Sequence, residues 1–165
     1  MILSPASHRA ARSLTPPPPQ THPTNDRSRP AASITPAQAV RAAARAIASN
    51  VLEPVCAPGA GLAFQPRSML AVLTYCYATD IFCSEEVEDL MRCDEAFRSV
   101  CGDEVPDART LRRFRRQNHD ALEHCLFAVL RTLADQRGAH PADAEVIEDA
   151  HQRLTTAVLM DMHEN

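Results

Sequence analysis

A chain of 165 residues has room for one domain and a tail, and its 45 % hydrophobic content is enough for a helical core. Only four glycines argue against a turn-rich all-β fold, and no apolar run approaches the roughly 18–20 residues of a membrane span. The net charge is −4, and all 17 basic residues are arginine, so a basic face on this chain is a local feature set against an acidic background. Arginine suits bidentate contact with phosphate or guanine, although the codon bias of a GC-rich genome explains its exclusive use equally well.

Residues 1–34 hold seven of the thirteen prolines, four of them consecutive at Pro16 to Pro19, and show almost no apolar periodicity. They read as a disordered, partly polyproline-like tail. Its arginines, serines and single acid (Asp26) resemble an organellar transit peptide in composition, but the proline run opposes the amphipathic helix such a peptide needs. A cytoplasmic location is therefore expected. Order is expected from Thr35-Pro36, a capping residue followed by proline at the first helical position. A helix over about 36–52 would bury Val40, Ala43, Ala44, Ile47 and Val51. Pro54 to Gly61 reads as a loop. A second helix, about 66–78, opens at Pro66 and is apolar over a wide arc, as a central buried helix should be. Ser84 is placed as the cap of a third helix with Glu85 and Glu86 in its first turn. A break is expected near Cys93, then a short helix through Val100 ending at Gly102.

Pro106 to His119 reads P-D-A-R-T-L-R-R-F-R-R-Q-N-H and carries five arginines. Asp107 is a good N-cap. At about 100° per residue, Arg109, Arg112, Arg113 and Arg116 share one face; Leu111, Phe114 and Asn118 lie opposite, with Arg115 beside them. Such a helix has an apolar back for docking and a basic front for phosphate. A charged face is also ordinary solvated surface, and the acids at Glu85, Glu86, Glu88, Asp89, Asp94, Glu95, Asp103 and Glu104 are alternative partners for these arginines. The apolar phase continues through Ala121, Leu122, Cys125, Leu126, Val129 and Leu133, so the helix is expected to run on past Asn118 until Gly138 and Pro141. A last helix, about 142–162, has Ala144, Ile147, His151, Leu154 and Val158 at three-four spacing. Asp143, Glu145, Glu148, Asp149 and Asp161 are read as its solvated face. From His119 onward nine acids stand against three arginines, so this half should repel phosphate and serve for assembly or capping.

No catalytic or cofactor motif emerges. Six cysteines include no C-x-x-C pair, and several fall at apolar helical positions, as expected of buried reduced thiols. H-D-A-L-E-H, at His119 to His124, misses the inverted zincin pattern by one residue, and histidines five apart splay by about 140° on a helix. No Walker loop, G-x-G-x-x-G or G-x-S-x-G is present. No metal, no cofactor and no catalytic residue is assigned.

Three strings occur in order between Phe64 and Leu130: F-Q-P-R-S-M-L-A-V-L-T-Y-C-Y, S-E-E-V-E-D-L-M-R-C-D-E-A-F-R-S-V-C-G, and P-D-A-R-T-L-R-R-F-R-R-Q-N-H. Together they resemble the InsH-type N-terminal domain of bacterial insertion-sequence DDE transposases. Pro66, Arg67 and Leu70 match its first motif. Ala96, Phe97, Arg98, Cys101 and Gly102 match its A-F-R-W-L-C-G segment. Pro106, Asp107, Thr110, Leu111, Arg113, Phe114 and Arg115 match P-D-H-x-T-I-x-R-F-R, with Ala108 where histidine is usual. The resemblance implies an all-α bundle with a helix-turn-helix-like arginine helix and double-stranded DNA, including transposon ends, as partner. Family members continue into a ribonuclease-H-like domain with a D-D-E triad. Only 27 residues follow Gly138 here, so the catalytic domain is expected to be absent and no enzymatic activity is assigned.

The regions expected are thus 1–34 as tail, 35–138 as the helical transposase-like domain and 139–165 as an acidic helix. The DNA-contacting set is Arg109, Thr110, Arg112, Arg113, Arg115 and Arg116, and a homodimer or a catalytic transposase subunit is the further partner. The alternative is a helical protein-interaction module whose arginines are paired internally. Steep salt dependence of DNA affinity separates the two.

Overall fold

The computed structural model describes residues 33–55, 64–95, 97 and 105–163. The expected disordered tail, most of the loop before Phe64, and the short helix ending at Gly102 lie outside the described residues. Among the described residues there are six α-helices and no strand, an all-α fold within the compact unit Ala32–Asn165.

Helix α1, Pro36–Ala46, starts on a reciprocal cap: Thr35 Oγ1 accepts from Gln38 N at 3.3 Å and Gln38 Oε1 accepts from Thr35 N at 2.9 Å. It stops earlier than the apolar pattern suggests. Arg67 Nη2 takes the Ile47 carbonyl at 3.1 Å, and the chain tightens into a 3₁₀ turn at Ser49–Val51. Val51, expected inside, is 61 % exposed.

Helix α2, Pro66–Ala78, has the expected bounds and buries Met69 through Thr74 together with Cys76 and Tyr77. The breadth of that face follows from its neighbours, since α2 packs against α1 and against three of the helices that follow. It ends in a reversal in which Asp80 takes φ 65° and Ile81 N bonds to Cys76 O at 2.8 Å. Aspartate tolerates this left-handed position better than most residues.

Helix α3, Ser84–Cys93, buries Val87 and Met91. Ser84 is not its cap, as expected from sequence, but its first helical residue, and its N–H and hydroxyl both go to Asp161. The break near Cys93 is present, with Asp94 already extended. Helix α4, Ala108–Gln117, carries the arginines. Helix α5, His119–Gln136, follows at once, so the single helix expected across Asn118 is in fact two. Asn118 takes φ −117° and ψ 30°; its Oδ1 accepts from Glu53 N at 2.7 Å and its Nδ2 donates to Glu53 O at 3.1 Å and Phe114 O at 3.2 Å. A side chain that competes for local backbone groups breaks the helix there, yet the apolar phase survives: Ala121, Leu122, Cys125, Leu126, Val129 and Leu133 are all buried. The helix ends at Gly138, φ 72°, with Gly138 N on Asp135 O and Ala139 N on Ala134 O, both near 3 Å.

Helix α6, Asp143–His163, packs on α5 and α2. Its buried row is Val146, Ala150, Leu154, Ala157 and Asp161, rotated from the expected seam. Ala144, Ile147, His151 and Val158 face solvent. Arg153 fixes α6 to the end of α2, donating from Nη1 to Tyr77 O and Asp80 Oδ1, each at 2.7 Å. This sets a cation at the negative end of the α2 dipole. Cys76, Cys83 and Cys125 are buried, while Cys93 is exposed. No described helix is long and apolar enough to cross a membrane.

Candidate nucleic-acid interface

Helix α4 is positioned at its start by two carboxylates. Asp107 Oδ1 accepts from Thr110 N at 2.7 Å, and Glu88 Oε2 of α3 accepts from Ala108 N at 2.6 Å. The hydrogen bonds from Thr110, aided by the nearby Arg109 and Arg112, hold the Asp107 carboxyl below its ordinary range despite partial desolvation. Inward, Leu111 and Phe114 are fully buried in the core shared with Tyr77, Leu70 and Leu122. Phe114 and Asn118 therefore occupy the inner face assigned to them by periodicity.

The six candidate contact residues divide by this geometry. Arg109, Arg113 and Arg116 are exposed at i, i+4 and i+7 spacing and make no ion pair with a described residue. Arg112 is half-buried: its Nη1 lies 2.6 Å from Glu85 Oε1 of α3 and 3.8 Å from Asp161 Oδ1. Thr110 and Arg115 are buried, each 3 % exposed, and neither is offered to solvent. The Arg115 guanidinium pairs through Nη2 with Asp161 Oδ2 and donates from Nη1 to Tyr77 Oη at 3.1 Å. Burial works against its charge, but the Tyr77 and Asp161 partners outweigh it and raise the Arg115 pKa. Burial also pushes the Tyr77 phenol up to about 12.

Asp161 is therefore the hinge of the arrangement and not the solvated acid its sequence position suggested. It is 4 % exposed, accepts from Ser84 N at 3.0 Å and Ser84 Oγ at 2.8 Å, and neutralises Arg115. The one signal for it was local: a single acid within the apolar string A-V-L-M-D-M. Cys83, Glu85 and Asp161 bring ligand atoms close enough for a metal ion. Arg112 and Arg115 already place positive charge on both carboxylates, which opposes a cation there. His119 and His124 join no metal-ligand cluster among the described residues. Helix α4 meets α5 at Asn118 alone, and the segment before Val105, where the preceding helix of a helix-turn-helix would lie, falls largely outside the described residues.

A family model described as Transposase domain (DUF772) matches residues 22–117, more than half of the sequence, and the chain belongs to that transposase-domain family. The match ends at Gln117, the last residue of α4, so α5, α6 and Asp161 lie beyond it. No curated protein and no solved structure matches the chain.

Proposed function

We propose that this chain is a DNA-binding module of a transposase, and that α4 meets the phosphate backbone of duplex DNA through Arg109, Arg113 and Arg116. The observation that carries this is the exposed three-arginine row on a chain of net charge −4. Two arginines of the sequence-derived set have other work: Arg115 is internal, and Arg112 shares Glu85. Strand-transfer chemistry belongs, on this reading, to a separate catalytic domain, with this segment acting in the cytoplasm, where a bacterial chromosome lies. Fluorescence anisotropy with a labelled duplex tests it. Changing Arg109, Arg113 and Arg116 to Gln should reduce the magnitude of the log K against log salt slope by about 2.7, three phosphates at roughly 0.9 each. Identical slopes for the two proteins would remove α4 as the contact.

A second reading has its own support. Arg112 and Arg115 are paired inside the fold, and α6 leaves Ile147, Val158 and Met162 exposed along one side. A protein-interaction module that self-associates through α6 would use these. It predicts salt-insensitive, weak DNA affinity together with a concentration-dependent dimer in sedimentation, abolished by Ile147→Glu.

A further inference from the structure

A second concentration of arginine lies between α1 and α2. Arg41 and Arg45, one turn apart on α1, and Arg67 in the first turn of α2 line a cleft of about 440 Å³. Ser49 and Ser68 add hydroxyls to its wall, and no carboxylate lines it among the described residues. Arg67 is held in place, its Nη2 donating to Ile47 O at 3.1 Å and to Ser49 Oγ at 2.7 Å, so its guanidinium plane is preorganised. Helix α2 opens at Pro66 without a side-chain cap, and its first residues form part of the same wall. The positive end of its dipole adds to the field there. A concave surface lined by one sign of charge focuses potential on an entering anion.

We infer that this α1–α2 cleft is a phosphate-binding site that seats DNA backbone, a contact separate from the arginine row of α4. The inference rests on the reading that the chain binds DNA, and it adds a place on the protein where the periodicity of the arginine helix gives no guidance. Arg41 and Arg45 supply charge from one wall and Arg67 a fixed fork from the other, an arrangement suited to the non-bridging oxygens of a phosphodiester.

The test uses the full chain, an Arg41→Gln/Arg45→Gln variant that keeps the structural Arg67, an Arg45→Gln single variant, and the α4 triple variant. Each variant is read against its own unliganded melting temperature, and the Arg45→Gln variant, whose changed side chain is exposed, should melt with the wild type. Inorganic pyrophosphate probes the cleft without DNA: it should raise the melting temperature of wild type and of the α4 variant, and markedly less that of the double cleft variant. On a labelled duplex the double variant should lose about 1.8 from the salt slope and the single variant about half of that, with the α4 loss adding separately. Equal pyrophosphate stabilisation and an unchanged DNA slope in the double variant would overturn the cleft site while leaving the α4 reading intact. Pyrophosphate binding at the cleft by a wild-type protein that shows no affinity for duplex would overturn both the DNA reading and the DNA backbone as occupant.

Discussion

Replacing Asp161 with alanine should be among the most damaging single changes in this fold, although the residue sits in the last turns of the final helix. Both partners of the Arg115–Asp161 pair have side chains 4 % exposed. Losing the carboxylate leaves a buried guanidinium with Tyr77 Oη at 3.1 Å as its remaining partner, and its Nε already lacks one. It also strands the Ser84 N–H at the start of α3. Breaking a buried pair from one side costs about 3–5 kcal/mol. Against a typical domain stability of about 5–15 kcal/mol, that is a large fraction, and it corresponds to a fall in Tm of roughly 10–25 °C. Urea unfolding followed by circular dichroism at 222 nm gives the number. The companion variant, Asp161→Ala with Arg115→Met, removes the stranded charge and should recover much of the loss, giving a strong coupling in a double-mutant cycle. A loss under about 1 kcal/mol for Asp161→Ala, or a double variant no more stable than the single, would refute the argument that this pair holds α6, α3 and α4 together.

Three further outcomes follow from the same packing. The Tyr77 phenol, raised to about 12 against an unfolded value of 10, keeps its proton in the folded state over a window where the unfolded chain gives it up. Stability should therefore fall as pH rises from about 10 to 12; a late-titrating phenol in absorbance at 295 nm should vanish in Tyr77→Phe, and matching curves per tyrosine would contradict the assignment. Phe114→Ala removes a fully buried ring and should cost about 3–5 kcal/mol in urea unfolding; an unchanged midpoint would mean α4 is rotated, with its arginines. Asn118→Leu leaves both Glu53 backbone groups unpaired and should cost about 1–3 kcal/mol, with a null effect meaning that the Glu53 segment finds other partners.

The elements legible in the sequence were those whose signals are local. Pro66 opens α2, and the period of Leu111, Phe114 and Asn118 puts the right side of α4 inward and Arg109, Arg113 and Arg116 outward. What periodicity cannot supply is a partner on another helix. Arg115 lies between the two faces of α4, and only the arrival of Asp161 decides that it turns inward. The end of α1 is decided by Arg67, twenty residues on, and the start of α3 by Asp161 in place of a serine cap. On α6 the three-four spacing favours the bulky row Ile147, His151 and Val158. The close approach to α5 selects the small side chains Ala150 and Ala157, with Leu154 common to both rows.

The 46-residue separation of Arg115 and Asp161 has a temporal side. The chain is made from its N-terminus, so the arginine leaves the ribosome well before its counter-charge exists. At about 5–20 residues per second the delay is roughly 2–9 s. During it, α1 to α4 can gather around α2, but closing the core over Arg115 would bury a cation without its carboxylate. The side of the core that α6 covers is therefore expected to stay open until that helix arrives with Asp161. A fragment ending with the family match at Gln117 would lack α5 as well as α6, and with α6 the carboxylate that Arg115 needs.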